Sequence, residues 1–515
     1  MTIAPRLKIF ALCFAALWTF GVFAFLWTSF LDDAYIGFTY MRNFIDGCGF
    51  VFNPGERIEG VTNIGWLLFL LLPAWVFPIP LAAKLTSLSL VAATLSIIYR
   101  IAKELSEEDN GLCATITILC TATSFDFLFF SFSGMETSFL AFLFAAILLL
   151  VLRHRYTAAS TLMAAAFCVR PETLPIAPLW MLVCAVSRTV PWHSLRRPAL
   201  VFSVIIAIIE LGRFLYFGAL LPNTFTAKST HLSDILVRCT TMFQLTNIPG
   251  PFSSLLAFLV MGAGFCKLCQ KEHKAAAYLL GSIVGAGILF CVYAKQDWTG
   301  LGRYFAPYIP TAFLLLTVGG LLVIRLLPIK TMSRHIVLIG ALSALVAAGA
   351  LHSILILRPK TQEQYPWYVA RSRSLVPAAK WIEQNIPEDA CIACRRIGCL
   401  SYYGKRYVFD FTFGLTDMEV ARLVSKHRQN FTSPTHQAIA SVWRKKQPDY
   451  ILEDAHIIKT LYARPTDTSF VIHGIRYAPT KKFRLTSNHD WLLCGQISKH
   501  DTAKGERTGT AAPVL

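Results

Sequence analysis

The sequence predicts an α-helical protein that crosses a membrane many times and carries a mixed α/β domain near its C-terminus. Of its 515 residues, 55% are hydrophobic and only 15% are charged, whereas an ordinary soluble domain has roughly 25% charged residues. Apolar runs of roughly 18–22 residues, long enough to cross a bilayer, recur from the N-terminus to about residue 357, and charged residues become frequent after that point. We therefore predict a transmembrane domain over residues 1–358, an α/β domain over 359–500 and a disordered tail over 501–515.

The first apolar run is predicted to be a retained membrane helix. Arg6 and Lys8 precede it, and it continues through Trp27 into polar sequence. A cleaved signal peptide has a shorter apolar core and a cleavage site of small residues. The apolar run is therefore part of the mature protein.

Charge distribution predicts about eleven spans, with the N-terminus in the cytoplasm and the C-terminal domain outside. The stretch 64–77 is short, contains Pro73 and ends in Pro78 and Pro80, which favours a helix lying at the membrane interface. With that assignment, five basic connections face the cytoplasm, as the positive-inside rule requires. The spans are 8–30, 81–101, 111–131, 135–152, 157–169, 172–187, 198–218, 251–270, 275–294, 304–326 and 334–357.

The same distribution accounts for the formal net charge of +18. Basic residues lie mostly in short connections between apolar runs, so the charge does not indicate nucleic-acid binding. Most of the 14 cysteines lie in apolar runs and resemble small core residues. Cys391, Cys394, Cys399 and Cys494 lie in the polar part, where some could pair on an oxidising face.

The predicted outer face collects the chemically useful groups. Asp32 and Asp33 directly follow the first span. Two adjacent carboxylates at a membrane boundary interact, so one of them should have a raised pKa. Such a group can accept a proton from an attacking hydroxyl, or the pair can hold a divalent cation. The alternative is a solvated cap that orients the helix.

Further charges lie on the predicted outer side. Arg170, Lys228 and Arg303 are candidates for phosphate binding, because guanidinium and ammonium groups bind phosphate oxygens. Each could instead contact lipid headgroups. Glu136 and Glu172 are candidate partners of these cations, or could help to hold a divalent cation, although ion pairs that brace two helices explain them equally well. Asp297 and Trp298 could bind a sugar ring, or Trp298 could be an ordinary interfacial tryptophan.

The known nucleotide and hydrolase motifs are absent from the sequence. It contains no glycine-rich phosphate loop, HExxH or GxSxG pattern, so a nucleotide-driven pump is unsupported. No internal repeat of the kind seen in many secondary transporters is visible. In the C-terminal part, a helix is predicted over Ser374–Gln384, with short strands near 390–393, 407–411 and 450–452.

Several segments resemble the GT-C class of membrane glycosyltransferases, and most closely the terminal arabinofuranosyltransferase branch of mycobacteria. The resemblance covers most of the chain in the same order, and its first block is the most specific. The matching segments are Asp32–Ile36 with Arg42 and Asn43, Phe52–Asn63, Ser133–Thr137, Arg170–Glu172, Tyr216–Lys228, and Gly398–Gly404 with Gly414 and Leu415.

This resemblance implies an inverting glycosyltransferase with a polyprenyl-phosphate sugar donor, arabinofuranose being the first candidate sugar. It implies an external active site in which Asp32 or Asp33 is the base, with a glycan, lipid or protein acceptor in a bacterial inner membrane. A divalent cation held by Asp32, Asp33 and Glu136 is one option. From the residues and the resemblance together, the candidate donor-binding residues are Arg42, Asn43, Arg57, Glu59, Thr62, Asn63, Arg170, Asn223, Lys228 and Arg303, with Glu56, Glu136, Glu172, Asp297 and Trp298 in support.

Two other functions compete with this reading. A lipid-linked sugar transporter or flippase would place functional charges near the middle of the membrane and at both faces, whereas here they gather on one predicted side. A non-catalytic envelope assembly protein would tolerate neutral replacements at Asp32 and Asp33.

Overall fold

The computed structural model describes residues 5–106, 111–224, 251–270, 272–294, 302–328, 340, 365–426, 433–461, 469–486 and 489–497. The chain divides into two compact units. The helical unit comprises residues 1–31, 62–220 and 229–368, and the mixed unit comprises residues 32–61, 221–228 and 369–515. The first polar loop and residues 221–228 thus belong to the same unit as the C-terminal part.

The helical unit is built from apolar helices. Within the described residues, five are long and apolar enough to cross a membrane, or six if one bent pair counts as a single span. These five are Pro5–Phe25, Ile79–Leu105, Trp192–Phe217, Lys274–Tyr293 and Ala306–Leu326. The shorter apolar helices are Ile64–Ala74, Thr137–Leu152, Tyr156–Val169, Ile176–Val186 and Pro251–Cys269, with a 3-10 turn at Pro171–Thr173.

The bent pair replaces the straight span expected over 111–131. Helix Leu112–Thr123 ends at Ser124, and helix Phe125–Phe132 continues at an angle of 60°. The break places Asp126 in the first turn of the second helix, where its side chain is buried. A break of this kind inside a membrane is tolerated where the freed polar groups face protein rather than lipid.

The span Ala306–Leu326 consists of a 3-10 turn, Ala306–Tyr308, and the α-helix Ile309–Leu326. Helix Ile309–Leu326 and helix Pro251–Cys269 approach each other at glycines. A Cβ atom at Gly319 would lie 1.8 Å from the carbonyl oxygen of Val260, and one at Gly264 would lie 2.2 Å from that of Leu315. Small residues at such a crossing allow two backbones to pack directly, as they commonly do between membrane helices.

The mixed unit contains a six-stranded sheet. Its strands are β1 (Cys391–Cys394), β2 (Tyr407–Phe409), β3 (Tyr450–Asp454), β4 (Phe470–Ile472), β5 (Ile475–Thr486) and β6 (His489–Gln496). The order is β2-β1-β3-β6-β5-β4, in which β2, β1 and β3 are parallel and the other neighbours are antiparallel. The helices of the unit are Asp32–Ile45, Ile397–Gly404, Met418–Lys426, Ser433–Lys446 and Ala455–Leu461, and helix Tyr365–Asn385 precedes β1.

The central strands β1, β2 and β3 are buried along nearly their whole length and contribute to a compact core. Trp443 lies on helix Ser433–Lys446 and packs its ring against Phe409, Phe411 and Tyr477. The Trp443 indole N–H donates to the Tyr477 hydroxyl, which donates to the carbonyl oxygen of Pro448, so these buried polar groups are paired.

The local sequence predictions for the C-terminal part agree with the observed elements. The predicted helix lies inside Tyr365–Asn385, and the three predicted strands correspond to β1, β2 and β3. Strands β4 to β6 were not predicted. The last proposed span, 334–357, lies outside the described residues apart from residue 340, as does the tail. The eleven-span count remains a prediction, as do the domain boundaries.

Candidate functional site

The first of the paired aspartates is held by the backbone of a distant helix. Asp32 begins helix Asp32–Ile45 and is 9% exposed. Its Oδ2 accepts a hydrogen bond of 3.1 Å from the N–H of Gly398, and its Oδ1 accepts one of 2.9 Å from the N–H of Cys399. These amides are among the first of helix Ile397–Gly404, whose N-terminus lacks intrahelical partners for them. Both oxygens of Asp32 are therefore engaged by the protein.

The pKa of Asp32 is raised, as the sequence predicted for one member of the pair. Burial is the largest cause, and the negative charge of Asp33 adds to it. The N–H groups of Cys399 and Gly398 and the charge of Arg396 oppose the shift, because they favour the carboxylate.

Asp33 has a different environment. It lies in the first turn of the same helix and is partly exposed, whereas Asp32 is buried. A partly exposed carboxylate beside a second, anchored one can reach an entering hydroxyl group. This difference in exposure distinguishes two residues that are equivalent in the sequence.

Arg42 lies near the other end of the helix that Asp32 begins. Its Nη1 donates to the carbonyl oxygens of Ser401 at 2.9 Å and Tyr402 at 2.7 Å, and its Nη2 donates to Oδ1 of Asn43 at 2.6 Å. The Asn43 amide in turn donates to the carbonyl oxygens of Val51 and Phe52. Both residues were predicted to bind the sugar donor. In the structure, their N–H groups donate hydrogen bonds to backbone carbonyl oxygens of the protein.

The polar loop after this helix is fastened to the sheet. The Asn53 side chain exchanges two hydrogen bonds with the backbone of Val408 in β2. Oε1 of Glu56 lies 2.8 Å from Nζ of Lys446 and 2.7 Å from the hydroxyl of Tyr407. Arg57 is exposed. Side chains of the loop therefore hold it against the sheet through hydrogen bonds and an ion pair.

The end of the loop carries Glu59, which is 3% exposed. Its backbone carbonyl accepts from the N–H of Asn223 at 3.0 Å. The Asn223 side chain donates to the carbonyl oxygens of Gly414 and Leu415 at 2.6 and 3.0 Å. Two predicted site residues that are far apart in sequence are thus brought together in the mixed unit.

The helical unit contains a buried ionic cluster. Nε of Arg170 lies 2.6 Å from Oε1 of Glu172, and its Nη1 lies 3.1 Å from Oε1 of Glu136. The other oxygen of Glu136 accepts from the Asn63 amide at 2.8 Å. The exposed fractions of the side chains in the two ion pairs range from 6% to 11%. Four residues that the sequence singled out therefore form one network.

Aromatic rings and a second arginine surround this cluster. The Arg170 guanidinium lies 5.6 Å from the ring centres of both Phe290 and Tyr304. Arg303 is 7% exposed, and its Nη2 lies 3.9 Å from the sulfur of Met135. Burial opposes the charged form of Arg170, but Glu172 and Glu136 raise the pKa of its guanidinium above the ordinary value, while the charge of Arg303 acts in the other direction.

The remaining candidates contribute less to the described geometry. Thr62 is partly buried beside Asn63. Lys228, Asp297 and Trp298 lie outside the described residues. In the part of the chain that the structure describes, no three His, Cys, Asp or Glu side chains are grouped closely enough to hold a metal ion.

Three functional candidates were missed by the sequence analysis. Asp126, in the bent pair, accepts a hydrogen bond from the backbone of Gly302, next to Arg303. Lys84 lies inside a predicted span and is 2% exposed. Arg396 is placed close to Asp32 by the fold. A charged residue within an apolar run was a usable signal for Asp126 and Lys84, whereas Arg396 had none.

An apolar groove opens between helices of the helical unit. It has a volume of about 370 Å³, and its walls come from helices Ile176–Val186, Pro251–Cys269, Lys274–Tyr293 and Ile309–Leu326. Leu179 is one of the lining residues. Such a surface suits a hydrocarbon chain.

Comparisons with known proteins identify the fold. Residues 361–503 match a family model described as a domain of unknown function, DUF8728. No curated protein sequence is significantly similar to this chain.

Two solved structures are similar over most of the chain. ArnT from Cupriavidus metallidurans, solved bound to undecaprenyl phosphate, has a TM-score of 0.56 and 14% identity over 95% of this chain and 98% of its own. The oligosaccharyltransferase of Archaeoglobus fulgidus, in the apo form, has a TM-score of 0.56 and 11% identity over 87% of this chain and 70% of its own. These neighbours are GT-C glycosyltransferases. The chain therefore has a GT-C-like membrane fold.

Proposed function

We propose that this protein is a glycosyltransferase of the GT-C type, which transfers a sugar from a polyprenyl-phosphate donor to an acceptor of the cell envelope. The observation that carries the proposal is the buried cluster of Arg170, Glu136 and Glu172 in a chain with this fold. Buried ionisable groups among apolar helices are costly and usually serve a function. The lipid-phosphate carriers in ArnT, and in AglB from Archaeoglobus fulgidus solved with a dolichol-phosphate, support the choice of donor.

The proposed orientation places the N-terminus in the cytoplasm and the C-terminal domain outside a bacterial inner membrane. The support is the positive-inside distribution of charge, since one assignment of the spans puts five basic connections on the cytoplasmic side. In this arrangement the paired aspartates and the Arg170 cluster belong to outer loops.

We assign the donor phosphate to Arg170 and Arg303. A guanidinium has five N–H donors, and the bonds of Arg170 to Glu136 and Glu172 use two of them. The glutamates orient the guanidinium, whose other N–H groups can bind phosphate oxygens. The apolar groove of the helical unit is proposed to hold the lipid tail.

We assign the catalytic base to Asp33, because its carboxylate is the more exposed of the two, whereas that of Asp32 is buried and accepts backbone N–H groups at both oxygens. The Asp33 carboxylate takes the proton of an acceptor hydroxyl as that oxygen attacks the anomeric carbon. The bond between this carbon and the phosphate oxygen breaks, and the polyprenyl phosphate leaves with its charge stabilised by cations of the protein. Attack opposite the leaving group inverts the anomeric centre.

The other predicted residues have lesser proposed roles. Arg42 and Asn43 are reassigned to positioning, because their described bonds stay within the protein: both donate to backbone carbonyls, and Arg42 also donates to the side-chain oxygen of Asn43. A divalent cation remains an option for the reaction. Residues still proposed for donor or acceptor binding are Arg57, Glu59, Thr62, Asn63, Asn223, Lys228, Asp297 and Trp298.

The test is sugar transfer in membranes that contain wild type, Asp33→Asn or Asp389→Asn at matched expression. Labelled polyprenyl-phosphate sugars are the donors, with arabinofuranose first. Asp389 is an exposed carboxylate of the mixed unit and serves as the control. We expect transfer by wild type and by Asp389→Asn, with a loss of at least about 100-fold in Asp33→Asn, a loss of the size that general base catalysis contributes.

The opposite outcomes separate the alternatives. Undiminished transfer by Asp33→Asn would remove this residue as the base. Movement of a lipid-linked sugar across vesicles without transfer would indicate a flippase instead.

A further inference from the structure

Helix Ile397–Gly404 is bound at both ends by charged residues of helix Asp32–Ile45. Asp32 accepts the N–H groups of Gly398 and Cys399 at 3.1 and 2.9 Å. Arg42, ten residues later, donates to carbonyl oxygens near the C-terminus of the same short helix. We name helix Ile397–Gly404 the clamp helix.

The charges match the polarity of the clamp helix. The N-terminus of a helix carries partial positive charge and unpaired N–H groups, whereas its C-terminus carries partial negative charge and unpaired carbonyls. An aspartate at the first end and an arginine at the second are both favourable. Because the two residues occupy one rigid helix, the two contacts set the direction of the clamp helix as well as its position.

Close packing makes this contact specific. A Cβ atom at Gly398 would lie 2.0 Å from the backbone oxygen of Asp32 and 3.1 Å from the backbone nitrogen of Ile36. Rings of Tyr402 and Tyr403 lie 5.7 and 5.5 Å from that of Tyr35. Only glycine allows the two backbones to approach so closely at this point.

Arg396 completes the surroundings of Asp32. It directly precedes the clamp helix, and its charge and that of Asp32 favour each other's ionised forms. It follows β1, at the carboxyl end of a parallel strand, an edge at which α/β sheets commonly place functional groups. The C-terminal domain therefore surrounds the first aspartate with backbone N–H groups and a cation.

We infer that residues 361–503, which match the family model, form a part of the active site. The clamp helix in this segment positions the aspartate pair through the contacts of Gly398 and Arg396 with Asp32 and through the bonds from Arg42. This inference rests on the proposed glycosyl transfer. The clamp engages Asp32, so Asp33 is held in a fixed orientation for the acceptor. Asp32, Arg42, Arg396 and Gly398 are then positioning residues, and Asp33 is the catalytic one.

The inference is tested first with two alanine variants of the clamp helix. Gly398→Ala inserts a methyl group against the backbone of Asp32, whereas Gly404→Ala meets Leu400 Cδ1 at 3.3 Å and only side-chain shifts of a few tenths of an ångström are needed. Because a misplacement of about 1 Å can cost about 100-fold in rate, we expect kcat of Gly398→Ala to fall by about that factor with the donor KM little changed. Gly404→Ala should stay within about threefold of wild type.

A second measurement does not depend on activity. Hydrogen–deuterium exchange on the full-length protein in detergent would follow the peptides that contain Gly398 and Cys399. Asp32→Asn removes one carboxylate oxygen and places an NH2 group against an N–H donor, so we expect faster exchange of these amides and a parallel loss of transfer. Asp389→Asn, an exposed carboxylate, should change neither.

The two measurements separate the failure of the clamp from the failure of the proposed function. Unchanged exchange in Asp32→Asn, or faster exchange with undiminished transfer, would overturn the clamp. The clamp would also be overturned if Gly398→Ala transfers sugar at the wild-type rate. Hydrogen–deuterium exchange in the rest of the chain shows whether this variant is folded. If Gly398→Ala does not fold, Asp32→Asn alone decides between these outcomes. If wild type transfers no sugar from any donor while exchange still depends on Asp32, the contact is real and the assigned reaction is wrong.

Discussion

Replacing Lys84 by methionine should destabilise the helical unit strongly. Lys84 lies on the apolar helix Ile79–Leu105 and is 2% exposed. Its Nζ donates to the carbonyl oxygens of Leu26 and Ser29, each at 2.7 Å, and to that of Phe132. The ammonium also lies 4.3 Å from the centre of the Phe30 ring. These carbonyls follow helix Pro5–Phe25 or end helix Phe125–Phe132, where intrahelical donors become scarce, and that of Leu26 also accepts from the N–H of Ser29 at 2.9 Å.

The magnitude follows from these three bonds. A buried carbonyl that loses its partner costs about 1–3 kcal/mol in soluble proteins, while measured hydrogen bonds inside membranes average about 0.6 kcal/mol. Between these limits, Lys84→Met should lower the free energy of unfolding by about 2–5 kcal/mol. That loss is a large fraction of the total of about 5–15 kcal/mol that proteins have. Methionine is chosen because its unbranched side chain fills similar space.

The assay is unfolding of the purified protein in mixed detergent, followed by circular dichroism as the denaturing detergent is increased. Lys103→Met is the matched control, because Lys103 lies on the same helix and is exposed. We expect a clear shift of the midpoint for Lys84→Met and almost none for Lys103→Met. Equal midpoints for the two variants would refute the role of Lys84 as a link between helix ends.

Two further predictions concern the buried charges. Arg170→Lys should lower the transfer rate by about 10–100-fold, because lysine has three N–H donors instead of five and lacks the planar fork that can serve two glutamates and a phosphate together, and the loss of a charge-assisted bond is worth about 1.5–3 kcal/mol. The exposed Arg155→Lys should leave the rate unchanged in the same assay. Burial raises the pKa of Asp410 from 3.8 to about 6 despite hydrogen bonds from neighbouring backbone N–H groups. The folded state therefore binds the proton of Asp410 more tightly than the unfolded state does. As the pH rises from 3.8 to about 6, the free energy of unfolding should fall by up to about 3 kcal/mol, and above that range it should level off. Asp410→Asn should lack this fall, and an identical pH dependence of thermal unfolding in wild type and variant would contradict the reasoning.

Composition and hydropathy were sufficient to predict the class of the protein and several of its local elements. Long apolar runs with basic connections indicate membrane helices because bilayer thickness and backbone hydrogen bonding leave few alternatives. The pairing of Arg170 with Glu172 was also accessible, because they lie two residues apart at a Pro-containing break. The three parallel strands of the C-terminal part were predicted from apolar patterns, which report local structure.

The backbone partners of Asp32 became known only from the fold. The N–H groups that bind Asp32 belong to residues 366 and 367 positions later in the chain. Backbone amides and carbonyls are present at nearly every residue, so a pattern of side chains cannot show which of them will meet a carboxylate. For the same reason Arg42 was predicted to bind the sugar donor, although its guanidinium binds the carbonyls of Ser401 and Tyr402. Periodicity and composition act over a few turns of chain, whereas these bonds exist only after the fold has brought distant backbone ends together.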